Sequence, residues 1–323
     1  MKAELKHWIK KILPAGAFAI VFMLTLCSGC GGTTPESPTP LTPPASSEGG
    51  ETEETSYQAP KFRGSAFHAD KAEGDGSLMI DLSAVKHGYV AVSAVSDVRL
   101  KFQVIKDDIT YNYDVASNGD PSVFPIQSGN GTYTFRIMEN IVDNKYAVGY
   151  STTAEVKLKD EYQPFLRPSN YSNYNENSAC VKKAAEFSAN AKTASDVITQ
   201  VYDFVCKTVT YDYPKAENVK SGYMPVPDET METGKGICFD YASLAAAMLR
   251  SQGIPTKIIF GYVAPNDVYH AWNMFYTKED GWTTVKFQVN PNDWTRMDLT
   301  FSANGSNSKF IGDGSNYSDV YEY

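Results

Sequence analysis

Three residues of this sequence have the types and the order needed for covalent chemistry: Cys238, His270 and Asp298. Cys238 follows the glycine-rich segment Gly234-Lys235-Gly236 and precedes a run of strong helix formers, so we expect it at the first turn of a helix. The N–H groups and the dipole of a helix N-terminus stabilise a thiolate. With His270 on one predicted strand and Asp298 on a neighbouring strand, the sequence supplies a nucleophile, a base and a group that orients the base.

The elements that position Cys238 have recognisable limits. Gly253 and Pro255 predict the end of the helix, and residues 257–263 predict the strand that follows it. Asp240 lies in the first helical turn, where a carboxylate caps N–H groups, so we expect it to have a structural role. The alternative for Cys238 is an inert, buried thiol at the start of a core helix.

The chain begins with a predicted lipoprotein signal peptide, residues 1–30. Lysines come first, an apolar stretch covers residues 12–26, and Cys27-Ser28-Gly29-Cys30 follows. Small residues before Cys30 resemble a bacterial lipobox, which predicts lipidation of Cys30 and anchoring on the extracellular face of the cell membrane. A plain signal peptide and an uncleaved anchor helix are the alternatives, and each places the rest of the chain outside the cytoplasm.

The composition after the signal limits the partners of the protein. Residues 31–59 are rich in Pro, Thr, Ser, Glu and Gly, which is typical of a disordered tether. The formal net charge of the chain is −9, and no basic stripe follows the signal. We therefore expect no nucleic-acid partner.

The segment 60–165 alternates apolar and polar residues with the period of a β-strand. Every second residue is apolar from 98 to 104, and the pattern resumes after Asp107-Asp108, which predicts a two-residue turn. About seven such strands at sandwich spacing predict a small Ig-like β-sandwich. His68 and His87 are isolated in the sequence and are expected to be surface residues, so no metal site is predicted here.

Helical periodicity begins after residue 177. Thr193-Ala-Ser-Asp196 resembles a capping box, and a single apolar stripe follows it at helical spacing. Residues 214–234 predict a polar loop that leads to Cys238 and helps to shape a cleft. Cys180 and Cys206 lie on two predicted helices, and they either form a disulfide or are both small buried residues.

Several blocks of the C-terminal half together resemble the transglutaminase-like superfamily, in particular its secreted and lipoprotein members in bacteria. The blocks are Val209–Tyr213, Gly236–Ser243, Met248–Pro255, His270–Asn273 and Asp298–Phe301. The resemblance covers about residues 178–323. It implies an α+β fold in which a papain-like transglutaminase core, residues 166–323, follows the Ig-like β-sandwich, and it implies a triad of Cys238, His270 and Asp298.

The chain departs from the family pattern after His270. Family members often have a tryptophan a few residues before the triad aspartate. Trp282 is followed by Lys286 at that position, whereas Trp294 is followed by Asp298 with better-matching flanks, and this register implies an extra hairpin around residues 290–293. The weaker alternatives for the aspartate are Asp280 and Asp293.

The triad implies acyl transfer through a thioester on the cysteine, without a cofactor. Release of the acyl group by water gives a peptidase or amidase, the favoured hypothesis, which acts on peptide or protein substrates such as cell-wall peptides. Release by a lysine amine gives a protein-crosslinking transglutaminase, and a non-catalytic surface binding protein is the third hypothesis. The oxyanion hole needs the Cys238 N–H and one more donor, for which Tyr211 and Tyr223 are candidates.

Overall fold

The computed structural model describes residues 56–264, 267–277, 294–297, 299–300 and 317–323. The predicted signal peptide with Cys30, residues 31–55 of the predicted tether, and Asp298 lie outside these ranges. The same holds for Asp280, Lys286, Asp293 and the predicted hairpin at 290–293.

Eight antiparallel strands form the N-terminal part of the described chain. They are β1 (Glu73–Gly74), β2 (Leu78–Asp81), β3 (Tyr89–Ala94), β4 (Leu100–Lys106), β5 (Ile109–Val115), β6 (Ser122–Pro125), β7 (Gly131–Val142) and β8 (Lys145–Val156). One sheet has the order β1-β2-β3-β6 and the other has the order β5-β4-β7-β8. Side chains of both sheets meet in one apolar cluster, so the alternating pattern buries one face of each sheet.

The hairpin between β4 and β5 shows how the sequence specifies this part. Leu100, Phe102 and Val104 are buried, as their spacing predicts. Lys106 pairs with Ile109 across the two-residue turn, and Asp107 adopts a positive φ of 51°, which aspartate tolerates better than most residues. The predicted strands and turn are confirmed here, while the Ig-like arrangement of the two sheets stays a prediction.

The side chain of His68 is 39% exposed, as expected of a surface residue, and it has a partner that the sequence did not indicate. Its Nδ1 lies 2.9 Å from Oδ2 of Asp81, a carboxylate that is fully buried, because the loop before β1 folds back onto β2. His87 is half-buried, and burial lowers the pKa of its ring. Within the described ranges, no group of three or more His, Cys, Asp or Glu side chains is placed to hold a metal ion.

Helices and a second set of strands follow. They are α1 (Ala179–Ala189), α2 (Ala194–Thr208), β9 (Thr210–Tyr211), α3 (Tyr213–Asn218), α4 (Pro227–Thr233), β10 (Lys235–Gly236), α5 (Cys238–Ser251), β11 (Thr256–Val263), β12 (Val268–Tyr276), β13 (Trp294–Met297) and β14 (Tyr317–Glu322). β11 to β14 form an antiparallel sheet in the order β13-β12-β11-β14, and β9 pairs in parallel with β10. Residues of this set belong to two large apolar clusters. One is the cluster of the N-terminal sheets, and the other contains residues of α1, α2 and α5.

Helix α5 is central to this part of the molecule. Every residue from Asp240 to Ser251 is buried, so the helix is enclosed on all sides. Ala242 and Ala246 join the apolar cluster of the β-sandwich, whereas Leu244 and Met248 join the cluster formed by α1 and α2. Small alanine side chains on one side allow the close approach of the sheet, and the helix ends before Gly253, whose φ of 82° suits glycine.

The apolar cluster of the β-sandwich continues across residue 165, the boundary predicted between two domains. Ile258 of β11 and Ala271 of β12 belong to the same cluster as Phe102 and Phe124 of the sandwich. Ser56–Tyr323 accordingly form one compact unit, and the boundary itself stays a prediction. None of the helices in the described ranges has the length and apolar character needed to cross a bilayer.

Candidate active site around Cys238

Cys238 is the first residue of α5, and its side chain is half-buried. The residue before it, Ile237, has an extended backbone with φ −94° and ψ 175°, so the chain enters the helix at Cys238. The first N–H groups of a helix have no acceptor within the helix, and together with its dipole they stabilise an anion at this end. The prediction that Cys238 begins a helix is confirmed.

Asp240 fixes the entry to this helix. Its carboxylate is completely buried, and Oδ2 accepts a hydrogen bond of 2.7 Å from the N–H of Ile237. The same oxygen lies 2.9 Å from Nζ of Lys215, and the hydroxyl of Tyr223 donates to Oδ1. The predicted capping role is confirmed, and the two long-range partners were not predicted.

Gly236 allows the close approach of Asp240. A Cβ on Gly236 would lie 2.6 Å from Cβ of Asp240, so any other residue would push the carboxylate away from the start of the helix. Gly236 also pairs with Tyr211 of β9, and the N–H of Asp212 donates to the Gly236 carbonyl at 2.9 Å. The parallel pair β9–β10 therefore places Tyr211 beside the segment that carries Cys238.

The two tyrosines that were candidates for the oxyanion hole have different surroundings. The hydroxyl of Tyr223 is bound to the Asp240 carboxylate. Tyr211 is half-buried, and its pKa is raised first by burial and then by the charge of the Cys238 sulfur. The phenol of Tyr211 is therefore protonated at neutral pH and within electrostatic range of that sulfur.

The predicted loop at residues 214–234 contains two short helices, so the prediction of a loop throughout is wrong. The side chain of Asp212 accepts from the N–H of Lys215 at 2.9 Å, and Pro214 follows the cap, which starts α3. Pro227 starts α4, and Gly234 ends it with a φ of 61°. The segment Asp212-Tyr213-Pro214-Lys215 has a capping residue followed by a proline, and this pattern could have predicted the start of α3 with Lys215 in its first turn.

His270 lies on β12, opposite Gly261 of β11, and only 5% of its surface is exposed. Its ring centroid is 6.2 Å from that of Trp272, which confirms the expected packing of Trp272 beside the imidazole. β12 contacts α5 through Asn273, whose Nδ2 donates to the Ala242 carbonyl at 3.0 Å.

Neighbouring side chains on a strand point to opposite faces, so His270 shares its face with Trp272 and not with Asn273. Helix α5 contacts the face of β12 that carries Ala271 and Asn273, so the side chain of His270 lies on the opposite face of the strand from α5. The approach of the imidazole to the sulfur stays a prediction.

The residues on either side of Asp298 are described, although Asp298 is not. Met297, the last residue of β13, pairs with Asn273 of β12, so the strand before Asp298 neighbours the strand of His270. Leu299 is 2% exposed, and its carbonyl accepts from the Cys206 thiol at an S···O distance of 3.7 Å. The role of Asp298 as the orienting group stays a prediction.

The cysteines of α1 and α2 are thiols and not a disulfide. Cys180 is fully buried, and burial raises the pKa of its thiol, which disfavours the reactive thiolate. Cys206 is half-buried and contacts Leu299. Cys180 and Cys238 both lie in the first turn of a helix, but Cys180 is fully buried whereas Cys238 is half-buried.

Comparison with known proteins identifies the segment that holds this site. Residues 181–287 match the model of the transglutaminase-like superfamily, a range that includes Cys238 and His270 but not Asp298. UPF0252 protein MJ1282 of Methanocaldococcus jannaschii is 31% identical over 77 residues. That match covers 22% of this chain and 22% of the relative, so the chain spans less than a quarter of the curated relative that it matches.

The solved structures that match this chain share little sequence with it. A candidate cysteine protease from Cytophaga hutchinsonii is 13% identical, with a TM-score of 0.39 over 72% of this chain and 73% of its own. The periplasmic domain of TgpA from Pseudomonas aeruginosa is 14% identical, with a TM-score of 0.34 over 77% of each chain. Red sea bream transglutaminase is 12% identical, with a TM-score of 0.30 over 71% of this chain and 49% of its own.

Structural overlaps of this extent carry no conclusion about activity. The fold is mixed α and β, and the match to the superfamily model rests on sequence. The segment from residue 181 to residue 287 of this chain is therefore identified as transglutaminase-like.

Proposed function

We propose that this protein is a cysteine acyl-transfer enzyme that hydrolyses peptide or protein amides. The observation that carries the proposal is the position of Cys238, a thiol at the first residue of a buried helix within the transglutaminase-like segment. His270 is the proposed base, and Asp298 is the proposed group that orients it.

In the proposed reaction the sulfur of Cys238 attacks the amide carbonyl and forms a tetrahedral intermediate. The imidazolium of His270 donates its proton to the leaving amine, so the C–N bond breaks and a thioester remains. His270 then takes a proton from water, and the hydroxide formed releases the acyl group and regenerates the thiolate. Each turnover consumes one water and yields one carboxylate and one amine.

Negative charge that develops on the carbonyl oxygen needs hydrogen-bond donors. The N–H of Cys238 at the start of α5 is one donor. We assign the second to the hydroxyl of Tyr211, because Tyr223 already donates to Asp240, while Tyr211 pairs with Gly236, two residues before Cys238, and its raised pKa keeps the phenol protonated. Tyr223 then acts through Asp240, as a positioning residue.

We further propose that the enzyme is anchored by a lipid on Cys30 at the extracellular face of a bacterial membrane, with the tether at residues 31–59 and the β-sandwich beyond it. Extracellular peptides, such as those of the cell wall, are the substrates that fit this location. Metabolic labelling with a palmitate analogue tests the anchor, and a Cys30→Ala variant is its control.

The function is tested by incubating peptide libraries and cell-wall fragments with the wild type and with Cys238→Ala. We expect new amines and carboxylates with the wild type alone. A labelled primary amine in parallel reactions detects transamidation, and its incorporation in place of hydrolysis would assign the enzyme to the transglutaminases. Equal products from both proteins would contradict the proposal.

A further inference from the structure

Three tyrosines that lie close together at one end of the C-terminal sheet are unusually exposed. Tyr262 of β11 is 43% exposed, Tyr269 of β12 is 47% exposed, and Tyr321 of β14 is 40% exposed. Aromatic side chains bury a large area when they are covered, so an exposed group of them marks a surface where something binds. We call these three residues the tyrosine shelf.

The shelf is one continuous surface because the strands pair in register. Tyr262 and Tyr269 are direct cross-strand partners, and their ring centroids are 5.4 Å apart. Tyr321 pairs with Phe260 on the other side of β11, and Phe260 lies 6.1 Å from the ring of Tyr269. The register places the three tyrosines on the same face of the sheet as Phe260, and the ring of Tyr269 contacts that of Phe260 directly.

Ring contacts connect the shelf to the residue that follows Cys238. Phe239, the residue after Cys238, has its ring 4.9 Å from that of Phe260, which in turn contacts Tyr269. The pKa of Tyr269 is raised to about 12, by burial first, then by Tyr262 and Tyr321, and also by the charge of Cys238. An acyl group bonded to Sγ of Cys238 would have the shelf as its neighbour.

The chemistry of the shelf selects among substrate groups. The phenol of tyrosine is uncharged at neutral pH, so the shelf offers flat ring faces and hydroxyl groups without formal charge. Such a surface gains most from covering a ring or a branched aliphatic chain, and the three tyrosines supply no cation to form an ion pair with a carboxylate. The β-sandwich borders this surface, because Tyr111 of β5 lies 6.0 Å from Tyr321.

We propose that the tyrosine shelf binds an aromatic or large aliphatic side chain of a substrate polypeptide, on the acyl side of the amide that Cys238 attacks. This inference rests on the proposed function only in taking Cys238 as the nucleophile. It gives the enzyme a side-chain preference and gives the sandwich a part in forming the substrate cleft.

The test uses the full chain and acetyl-X-chloromethyl ketones, in which X is Phe, Leu, Ala, Asp or Lys, and measures the second-order rate of Cys238 alkylation by mass spectrometry. We expect Phe and Leu probes to react about tenfold faster than Ala or Asp probes. In the double variant Tyr262→Thr, Tyr269→Ser, most of this difference in rate between the probes should be lost. Ile141→Thr, which changes an exposed residue of β7 in another sheet, should keep it.

Iodoacetamide serves as the probe without a side chain, and each rate is divided by the iodoacetamide rate of the same protein, so that a change in the reactivity of the sulfur is not counted as a change in preference. Three results would each overturn the proposed role of the shelf: a wild type without preference, a preference for Lys over Phe, or a preference that survives in the double variant. None of them would contradict the role of Cys238 as the nucleophile. Failure of iodoacetamide itself to modify native Cys238 would overturn the proposed function together with this inference.

Discussion

The ammonium group of Lys215 lies 2.9 Å from the buried carboxylate of Asp240, two residues beyond Cys238. The same ammonium is 4.5 Å from the centre of the Tyr223 ring, whose hydroxyl donates to that carboxylate. These contacts tie α3 and the residues after it to the start of α5. The position of the proposed nucleophile thus depends on a segment that precedes it by more than twenty residues.

Lys215→Met should lower the stability of the protein, because it leaves a buried carboxylate without its only cation among the described contacts. The side chain of Lys215 is about a quarter exposed, so we expect a loss of about 1–3 kcal/mol in the free energy of unfolding. Urea titration measures it. Lys220→Met, in the same segment but exposed, is the matched control and should change stability by less than about 0.5 kcal/mol. Equal losses in both would contradict the role of the pair.

Tyr211→Phe should lower the rate of catalysis, whereas Tyr223→Phe should lower the stability of the protein. Loss of the Tyr211 hydroxyl removes an oxyanion donor, so kcat for amide cleavage should fall by about 100-fold while stability stays near that of the wild type. Loss of the Tyr223 hydroxyl should lower stability by about 1–2 kcal/mol, because Asp240 loses a buried donor. Steady-state kinetics and thermal unfolding of both variants check this. A larger fall in kcat for Tyr223→Phe than for Tyr211→Phe would reverse the assignment.

Asp228 should make part of the stability depend on pH. Its two carboxylate oxygens accept from the N–H groups of Ala179 and Cys180, so α4 caps the start of α1. Burial alone would raise the pKa of Asp228, but these hydrogen bonds hold it below the ordinary value of 3.8. The stabilisation is therefore complete above that value and is lost as the pH falls through the lower pKa of the folded state.

Urea midpoints from pH 6 to pH 3 test the cap. The wild type should lose more stability over this range than Asp228→Asn, which has no charge to titrate. Asp228→Ala should lose about 1 kcal/mol already at pH 6. Parallel pH profiles for the wild type and Asp228→Asn would show that the carboxylate does not contribute.

Arg250→Met should destabilise the protein more than any surface change. Burial lowers the pKa of Arg250 to about 10, so the guanidinium is still charged at neutral pH. It donates to the carbonyls of Thr256 at 2.8 Å, Tyr323 at 2.9 Å and Arg167 at 3.2 Å. Removing it leaves these acceptors buried, and we expect a loss of about 3 kcal/mol or more.

Arg250→Lys separates charge from geometry, because one ammonium cannot reach three carbonyls in different directions. We expect it to be destabilised nearly as much as Arg250→Met in urea titrations. Wild-type stability in Arg250→Lys would show that the charge alone suffices.

Local signals in the sequence predicted the elements that they control. The capping box is present, since Thr193 accepts from the Asp196 N–H at 3.1 Å and Asp196 accepts from the Thr193 N–H at 3.0 Å. The start of α5 at Cys238 and its end before Gly253 also follow from neighbouring residues. Each of these features depends on contacts within a few positions of the chain.

Features that depend on distant residues were not predicted. α4 is short, and its Asp228 finds its partners at Ala179 and Cys180, about fifty positions earlier. Lys215 and Tyr223 meet Asp240 only because the chain returns through α4 and β10. The tyrosine shelf likewise combines residues of three strands, and alternation along one strand could not reveal it.

The central claim is that Cys238 is a nucleophile activated by His270, and the rate of its alkylation by iodoacetamide at pH 7 tests it most directly. We predict that Cys238 in the native protein reacts at least tenfold faster than in urea-unfolded protein and faster than Cys180 or Cys206. His270→Gln, in a variant whose thermal unfolding matches the wild type, should lower the rate to the unfolded level. A native rate no higher than the unfolded rate, or one unchanged by His270→Gln, would contradict the claim.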